Sequence, residues 1–126
     1  MALRYLIYLT GVAALVFSLG DILASQAGAN LIGGQLSAVA AGEIQVRGAV
    51  GLLYVFLAYF ARNADDQGLR RVIAPTMMWG FVAQFVAILL LILTGVFGSA
   101  AWIFIVLGAI FIVAYIYLLY LQPSRR

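Results

Sequence analysis

Residues 74–96 read APTMMWGFVAQFVAILLLILTGV and contain no charged side chain. The next apolar run, residues 101–121, reads AWIFIVLGAIFIVAYIYLLYL and is also uncharged. A helix of about 20 mostly apolar residues crosses a hydrocarbon core that is roughly 30 Å thick. Each run is therefore long enough and apolar enough to be a transmembrane helix.

Two further runs towards the N-terminus have the same character, residues 3–23 and residues 44–61. We therefore predict an all-α fold, an integral membrane bundle of four transmembrane helices that forms a single domain over residues 1–126. We expect the first run to be a retained span, because it is longer than the apolar core of a signal peptide. Apolar residues surround every span, so periodicity does not identify the inward faces.

The composition excludes most enzymatic chemistry. The 126 residues are 67% hydrophobic and 9% charged, whereas soluble domains carry about 25% charged residues. The chain has no cysteine, no histidine and no lysine, which removes thiolate nucleophiles, the commonest general base, most metal ligands and Schiff-base chemistry. We expect no enzymatic activity, no metal site, no cofactor held by His or Cys, and no nucleic-acid partner. A bound lipid, quinone or carotenoid is compatible with this composition.

The arginines predict the orientation. One side of a four-span chain carries Arg4, Arg62, Arg70, Arg71, Arg125 and Arg126. Only Arg47 falls on the other side. Cytoplasmic loops carry an excess of arginine and lysine, so we expect both termini to be cytoplasmic in a plasma (inner) membrane.

Residues 25–42 form the long connection on the outer side. This segment is uncharged, and Ile32, Leu36 and Val39 are spaced like one face of a helix. A short helix lying in the membrane interface and an irregular loop over the bundle mouth fit this pattern equally well. A re-entrant loop is less favoured, because its backbone would need hydrogen-bond partners at depth.

Three charged residues are predicted to meet at the outer boundary. Glu43 and Arg47 are four residues apart at the start of the second span, and Asp21 ends the antiparallel first span. In a structural interpretation, the two acids neutralise Arg47 and pin the two spans together. In a functional interpretation, the cluster binds an anionic headgroup or relays protons. We favour the structural one, since a transporter's coupling site normally lies near the membrane midplane.

Gln84 lies near the centre of the third span, where a glutamine usually forms a hydrogen bond across a helix interface. Binding of a quinone carbonyl or a pigment is the less favoured alternative. Small residues allow helices to approach closely, within the chain or between proteins. The candidates for such contacts are Gly11, Ala14, Ser18, Gly48, Gly51, Ala83, Ala87 and Gly108. Aromatic residues expected to face lipid or a neighbouring subunit are Phe56, Phe60, Phe81, Phe85, Phe104 and Phe111.

Residues 43–95 carry a local family resemblance. The motif Glu43-Ile-Gln-Val-Arg47-Gly48 opens the second span, Gly51 follows, and Arg62 precedes a short charged loop. This pattern resembles the small four-helix bacterial membrane proteins of the DoxX-like kind. The resemblance implies a four-span fold in a bacterial inner membrane and carries over no catalytic or binding residue.

The functional hypothesis is a non-catalytic accessory subunit, with membrane lipids and other integral membrane subunits as its partners. A respiratory or photosynthetic energy-transducing complex is the host that we expect. The alternative is a small proton-coupled transporter, or a lipid- or quinone-binding protein that acts as a homo-oligomer. The chain resembles the small multidrug resistance exporters in size only, because its first span has no central carboxylate.

Overall fold

The computed structural model describes residues 1–31 and 38–122, apart from the side chains of residues 28, 31, 38, 39 and 41–43. The described chain contains helices α1 (Ala2–Leu23), α2 (Ser25–Leu31), α3 (Ala38–Phe60), α4 (Asp66–Gly68), α5 (Ala74–Leu93) and α6 (Trp102–Ile116). Short 3₁₀ turns span Ala61–Asn63 and Ser99–Ala101, and π-helical turns span Leu69–Ile73 and Tyr117–Leu121.

Four helical segments in this described part are long and apolar enough to cross a membrane. They are Ala2–Leu23, Ile44–Asn63, Asp66–Leu93 and Ser99–Leu121. The predicted all-α chain with four candidate spans is thereby confirmed.

The predicted outer connection is more helical than expected. Helix α2 covers Ser25–Leu31, and α3 begins at Ala38, ahead of the predicted span start at residue 44. Alanine is the strongest helix former, and the sequence Ala-Val-Ala-Ala at residues 38–41 extends the helix beyond the apolar run. The side chains of Ile32, Leu36 and Val39, which carried the predicted interfacial stripe, lie outside the described residues.

The third span also begins earlier than residue 74. The Asp65 carboxylate accepts a hydrogen bond from the Gly68 backbone N–H at 2.7 Å, and this cap starts a helical run at Asp66. Pro75 lacks the N–H that would bond to the Arg71 carbonyl. The helix widens into a π turn just before it, where the Ala74 N–H donates to the Leu69 carbonyl.

The bundle is built from two helical hairpins. Helix α1 packs mainly against α3, and α5 packs mainly against α6. The hairpins join at the end that carries most of the arginines. The buried core there consists of Leu3, Ile7, Ala58, Ala61, Leu69, Ile73, Ala74, Met77, Met78 and Tyr115.

Close approach of α1 and α3 depends on small residues. A Cβ atom at Gly11 would collide with the Ala58 Cβ, and one at Gly51 would collide with the Ser18 hydroxyl. A Cβ at Gly48 would lie 2.8 Å from the Asp21 Cβ. These contacts share one antiparallel register.

The other predicted small residues have different surroundings. Ala14 is half-buried on α1. A Cβ at Gly108 would lie 3.7 Å from the Phe85 ring, which is ordinary van der Waals distance. Gly108 therefore does not mark a close approach of two helices within the chain.

Four of the six phenylalanines that we predicted to face lipid or a neighbouring subunit fall into two groups. Phe56 and Phe60 are exposed on α3, in the direction that we predicted. For Phe81 and Phe111 the prediction is wrong, because their rings stack within the bundle with centroids 4.9 Å apart. The Phe81 ring also contacts the Tyr54 ring at 5.7 Å, which joins the two hairpins.

Phe85 and Phe104 are half-buried and belong to neither group. The Phe104 ring meets the Phe17 ring edge to face, with centroids 5.9 Å apart. This contact joins α1 and α6 at the end of the bundle away from the core.

Candidate functional site

Asp21 and Arg47 form an ion pair between the end of α1 and the first half of α3. The Arg47 Nε and Nη2 atoms donate to one Asp21 carboxylate oxygen, at 3.1 and 3.0 Å. The Gly48 backbone lies directly against Asp21, so the pair forms where the two helices approach closely. The predicted third member, Glu43, has its side chain outside the described residues.

The pair lies in a partly exposed position. The Arg47 side chain is 50% exposed and the Asp21 side chain is 24% exposed. The guanidinium neutralises the carboxylate and links α1 to α3. The contact between Asp21 and Arg47 is the one that we predicted, and the structural interpretation of the cluster stays a prediction.

We expect Arg47→Ala to lower the free energy of unfolding only modestly. Breaking a buried ion pair costs about 3–5 kcal/mol. An exposed pair contributes about 0.2–1 kcal/mol, and the exposure of Arg47 places it near that range. Thermal unfolding in detergent of Arg47→Ala, Asp21→Asn and the double variant measures the coupling between the side chains. A coupling close to zero would show that the pair does not hold α1 to α3.

Gln84 lies on the outside of the bundle. Its side chain is exposed, and it forms no hydrogen bond within the described part of the chain. At 1.5 Å per residue, it lies about 15 Å from Ala74 and about 14 Å from Leu93, in the middle of α5. The predicted interhelical hydrogen bond is therefore not made among the described residues. Ala83 and Ala87, on either side of Gln84, are exposed as well.

A buried polar cluster joins three helices. The Tyr115 hydroxyl on α6 lies 2.7 Å from the Thr10 hydroxyl on α1 and 3.2 Å from the Met77 sulfur on α5. The Thr10 hydroxyl also lies 2.9 Å from the Leu6 carbonyl. Tyr115 and Thr10 are fully buried.

Sequence reasoning missed this cluster, because a threonine hydroxyl can always bond within its own helix. The available signal was that Thr10 and Tyr115 fall at similar depth on antiparallel spans. The cluster ties the two hairpins together, and all its hydroxyls have partners.

Two arginine side chains at the core end, Arg4 and Arg70, donate to carbonyls near helix ends. Arg4 donates to the carbonyls of Ala61, Arg62 and Ala64, at 3.3, 3.0 and 2.8 Å. Arg70 donates to the Leu118 carbonyl at 3.0 Å. Helix C-termini leave carbonyls without partners and carry partial negative charge, so both arginines are placed where cations stabilise a helix.

Two open apolar grooves run along the described surface. One has a volume of about 350 Å³ and lies between α1 and α3, with Arg62 at one end. The other has a volume of about 660 Å³ and is lined by residues of α5 and α6, among them Phe85, Ile110 and Tyr117. The second groove has no charged residue in its lining.

No three carboxylate, cysteine or histidine side chains come together among the described residues in a way that could hold a metal ion. Comparison of the chain with protein-family models, curated proteins and solved structures finds no match. The resemblance of residues 43–95 to DoxX-like proteins therefore stays a prediction.

Proposed function

We propose that this chain is a non-catalytic accessory subunit of a larger membrane protein complex. It would lie in a bacterial inner membrane with both termini in the cytoplasm, and a respiratory or photosynthetic complex would be its host. Its role there would be to pack against, seal or stabilise neighbouring subunits.

The exposed amide of Gln84 is the observation that carries this proposal. Hydrocarbon offers no hydrogen-bond partner, and burying an unpaired amide in an apolar medium costs several kcal/mol, roughly 4–8 on a cyclohexane scale. A helix of another protein can supply the missing partner. Ala83 and Ala87 would let that helix come close, as small residues do at membrane helix interfaces.

The site chemistry supports a packing role over a catalytic or transport role. Asp21, a carboxylate at the end of the first span, is already paired with Arg47. A proton-coupled transporter needs a carboxylate near the midplane that can bind and release protons. Two polar side chains that are fully buried, Thr10 and Tyr115, bond to each other.

The test is extraction from native membranes in a mild detergent, followed by native-gel sizing and mass spectrometry of the band. We expect the chain to migrate with a large complex of defined composition. A small particle that contains only this chain and lipid would overturn the accessory role. It would favour the alternative of a homo-oligomer, in which the Gln84 amides of two copies bond to each other.

We expect Gln84→Leu to release the chain from its complex while leaving the isolated chain folded. The loss of one interhelical hydrogen bond, about 0.6–1.7 kcal/mol, corresponds to roughly a three- to twentyfold weaker association. The measurement is the fraction of chain that comigrates with the complex. Val106→Leu, an exposed substitution on α6, is the matched control and should leave this fraction unchanged. Equal fractions for Gln84→Leu and wild type would remove the main support for the proposal.

A further inference from the structure

The guanidinium of Arg62 differs from those of the other described arginines, because it has no acidic partner and donates no hydrogen bond within the described chain. Arg47 pairs with Asp21, whereas Arg4 and Arg70 bond to backbone carbonyls. The Arg71 guanidinium donates to the side-chain amide oxygen of Gln67, at 2.9 and 3.1 Å. The Arg62 guanidinium instead lies over the Tyr59 ring, 4.2 Å from its centroid. This stacking holds the cation in place and leaves its N–H donors available to a ligand.

An apolar groove runs from Arg62 along the side of the bundle. Leu15 and Val55 line it, and the contact between Gly11 and Ala58 lies at its floor. These two small residues leave space that larger side chains would fill. From Val55 to Arg62, the groove follows the end of α3 and the 3₁₀ turn after it for about 10 Å, at roughly 1.5 Å per residue. The groove is open along the side of the bundle and has a volume of about 350 Å³.

The charge at this end of the bundle favours an anion. Arg4, Arg62, Arg70 and Arg71 are accompanied there by two acids, Asp65 and Asp66. Asp66 lies 3.9 Å from Arg4. The excess of cations matches a ligand with an acidic head and a hydrocarbon chain. At the mouth of the apolar groove, the Arg62 guanidinium has no hydrogen-bond acceptor among the described residues.

We propose that this groove binds one anionic phospholipid, with the phosphate at Arg62 and an acyl chain along Val12, Leu15 and Val55. The Tyr8 and Tyr59 rings at the same end would lie at headgroup level, where tyrosine is enriched in membrane proteins. A free phosphate ion would use Arg62 but not the apolar groove. The proposal rests on a membrane location for the chain and not on the accessory role.

The experiment uses the full chain, stripped of lipid in detergent and examined by native mass spectrometry. The probes are dioleoyl phosphatidylglycerol, dioleoyl phosphatidylcholine and inorganic phosphate, titrated separately. We expect one tightly bound phosphatidylglycerol, weaker binding of phosphatidylcholine and no retained phosphate. Arg62→Gln should weaken the phosphatidylglycerol complex about tenfold, the effect of losing one hydrogen bond to a charged group.

Two matched control variants distinguish specific lipid binding in the groove from attraction by net charge and from the effect of adding a large side chain. Arg71→Gln removes the same charge at the same end and should leave phosphatidylglycerol binding unchanged. Val55→Phe fills the groove and should reduce binding of the lipid, whereas Val50→Phe, exposed on the same helix outside the groove, should not. Circular dichroism and gel filtration confirm that each variant is folded.

Three results would overturn the lipid site. They are equal binding of the two lipids, equal loss in Arg62→Gln and Arg71→Gln, and undiminished binding in Val55→Phe. Retention of inorganic phosphate at Arg62 without a preference for the lipid would assign the site to a soluble anion. Failure of the chain to incorporate into lipid nanodiscs would instead contradict the membrane location, so the two failures are distinguishable.

Discussion

Gly11→Val is expected to separate α1 from α3 and to remove most of the folded protein. Even the first added carbon at Gly11 would collide with the Ala58 Cβ, which is fixed to the α3 backbone and cannot rotate away. Overpacking a well-packed interior typically costs about 1–3 kcal/mol, and the three carbons of valine should place this variant at or beyond the upper end. The measurements are the yield of monodisperse protein in detergent and its thermal unfolding temperature.

Two control variants test whether the collision with Ala58 causes the loss of stability. Gly20→Val lies on the same helix with no atom within 4 Å of the added Cβ, so it should retain the wild-type yield and unfolding temperature. The double variant Gly11→Ala with Ala58→Gly moves one methyl group across the interface. It should be clearly more stable than Gly11→Ala alone. Equal stability of Gly11→Val and Gly20→Val would disprove the close contact of α1 and α3.

The number and approximate positions of the four candidate spans were predictable, because each depends only on a long apolar run in the local sequence. Uncharged runs such as residues 74–96 cover the length of a membrane span whatever their neighbours are. The ends were less predictable. The third span begins at Asp66 because Asp65 caps it, and this local hydrogen bond lies in a segment too polar to be counted by hydropathy.

The faces of the helices could not be predicted for a physical reason. Lipid tails and the bundle interior are both apolar, so Phe81 inside the bundle and Phe60 on its surface carry the same signal. Small residues were ambiguous in the same way. Gly11 lies at a helix contact, whereas Ala83, chosen on the same criterion, is exposed.

Charged residues gave the more useful signal because their burial is costly wherever it occurs. The positions of Asp21 and Arg47 on antiparallel spans were enough to predict that their side chains meet. The structure has these side chains in contact, with the nearest nitrogen and oxygen 3.0 Å apart. For Arg4 the sequence indicated the side of the membrane but not the partners. Those partners are backbone carbonyls, and no residue type in the sequence identifies them.

Arg4→Gln is expected to destabilise the arginine end of the bundle by about 2–3 kcal/mol, within the range for hydrogen bonds that involve a charged group. The guanidinium bridges the start of α1 to three carbonyls in and just after the 3₁₀ turn that follows α3, at 2.8 to 3.3 Å. Its contact with Asp66 contributes little, because that side chain is 91% exposed and 3.9 Å away. The effect should therefore come from the carbonyls and not from the ion pair.

Two further variants separate these contributions, with thermal unfolding in detergent as the measurement. Asp66→Asn should leave stability nearly unchanged, since it removes only the weak ion pair. Arg4→Lys keeps the charge but loses the planar fork that reaches several carbonyls, so its stability should lie between those of wild type and Arg4→Gln. Arg71→Gln, which removes an exposed arginine at the same end, provides the baseline for the loss of one charge. If Arg4→Gln is no less stable than Arg71→Gln, Arg4 acts only as a surface charge, and the three carbonyl bonds do not hold α1 to α3.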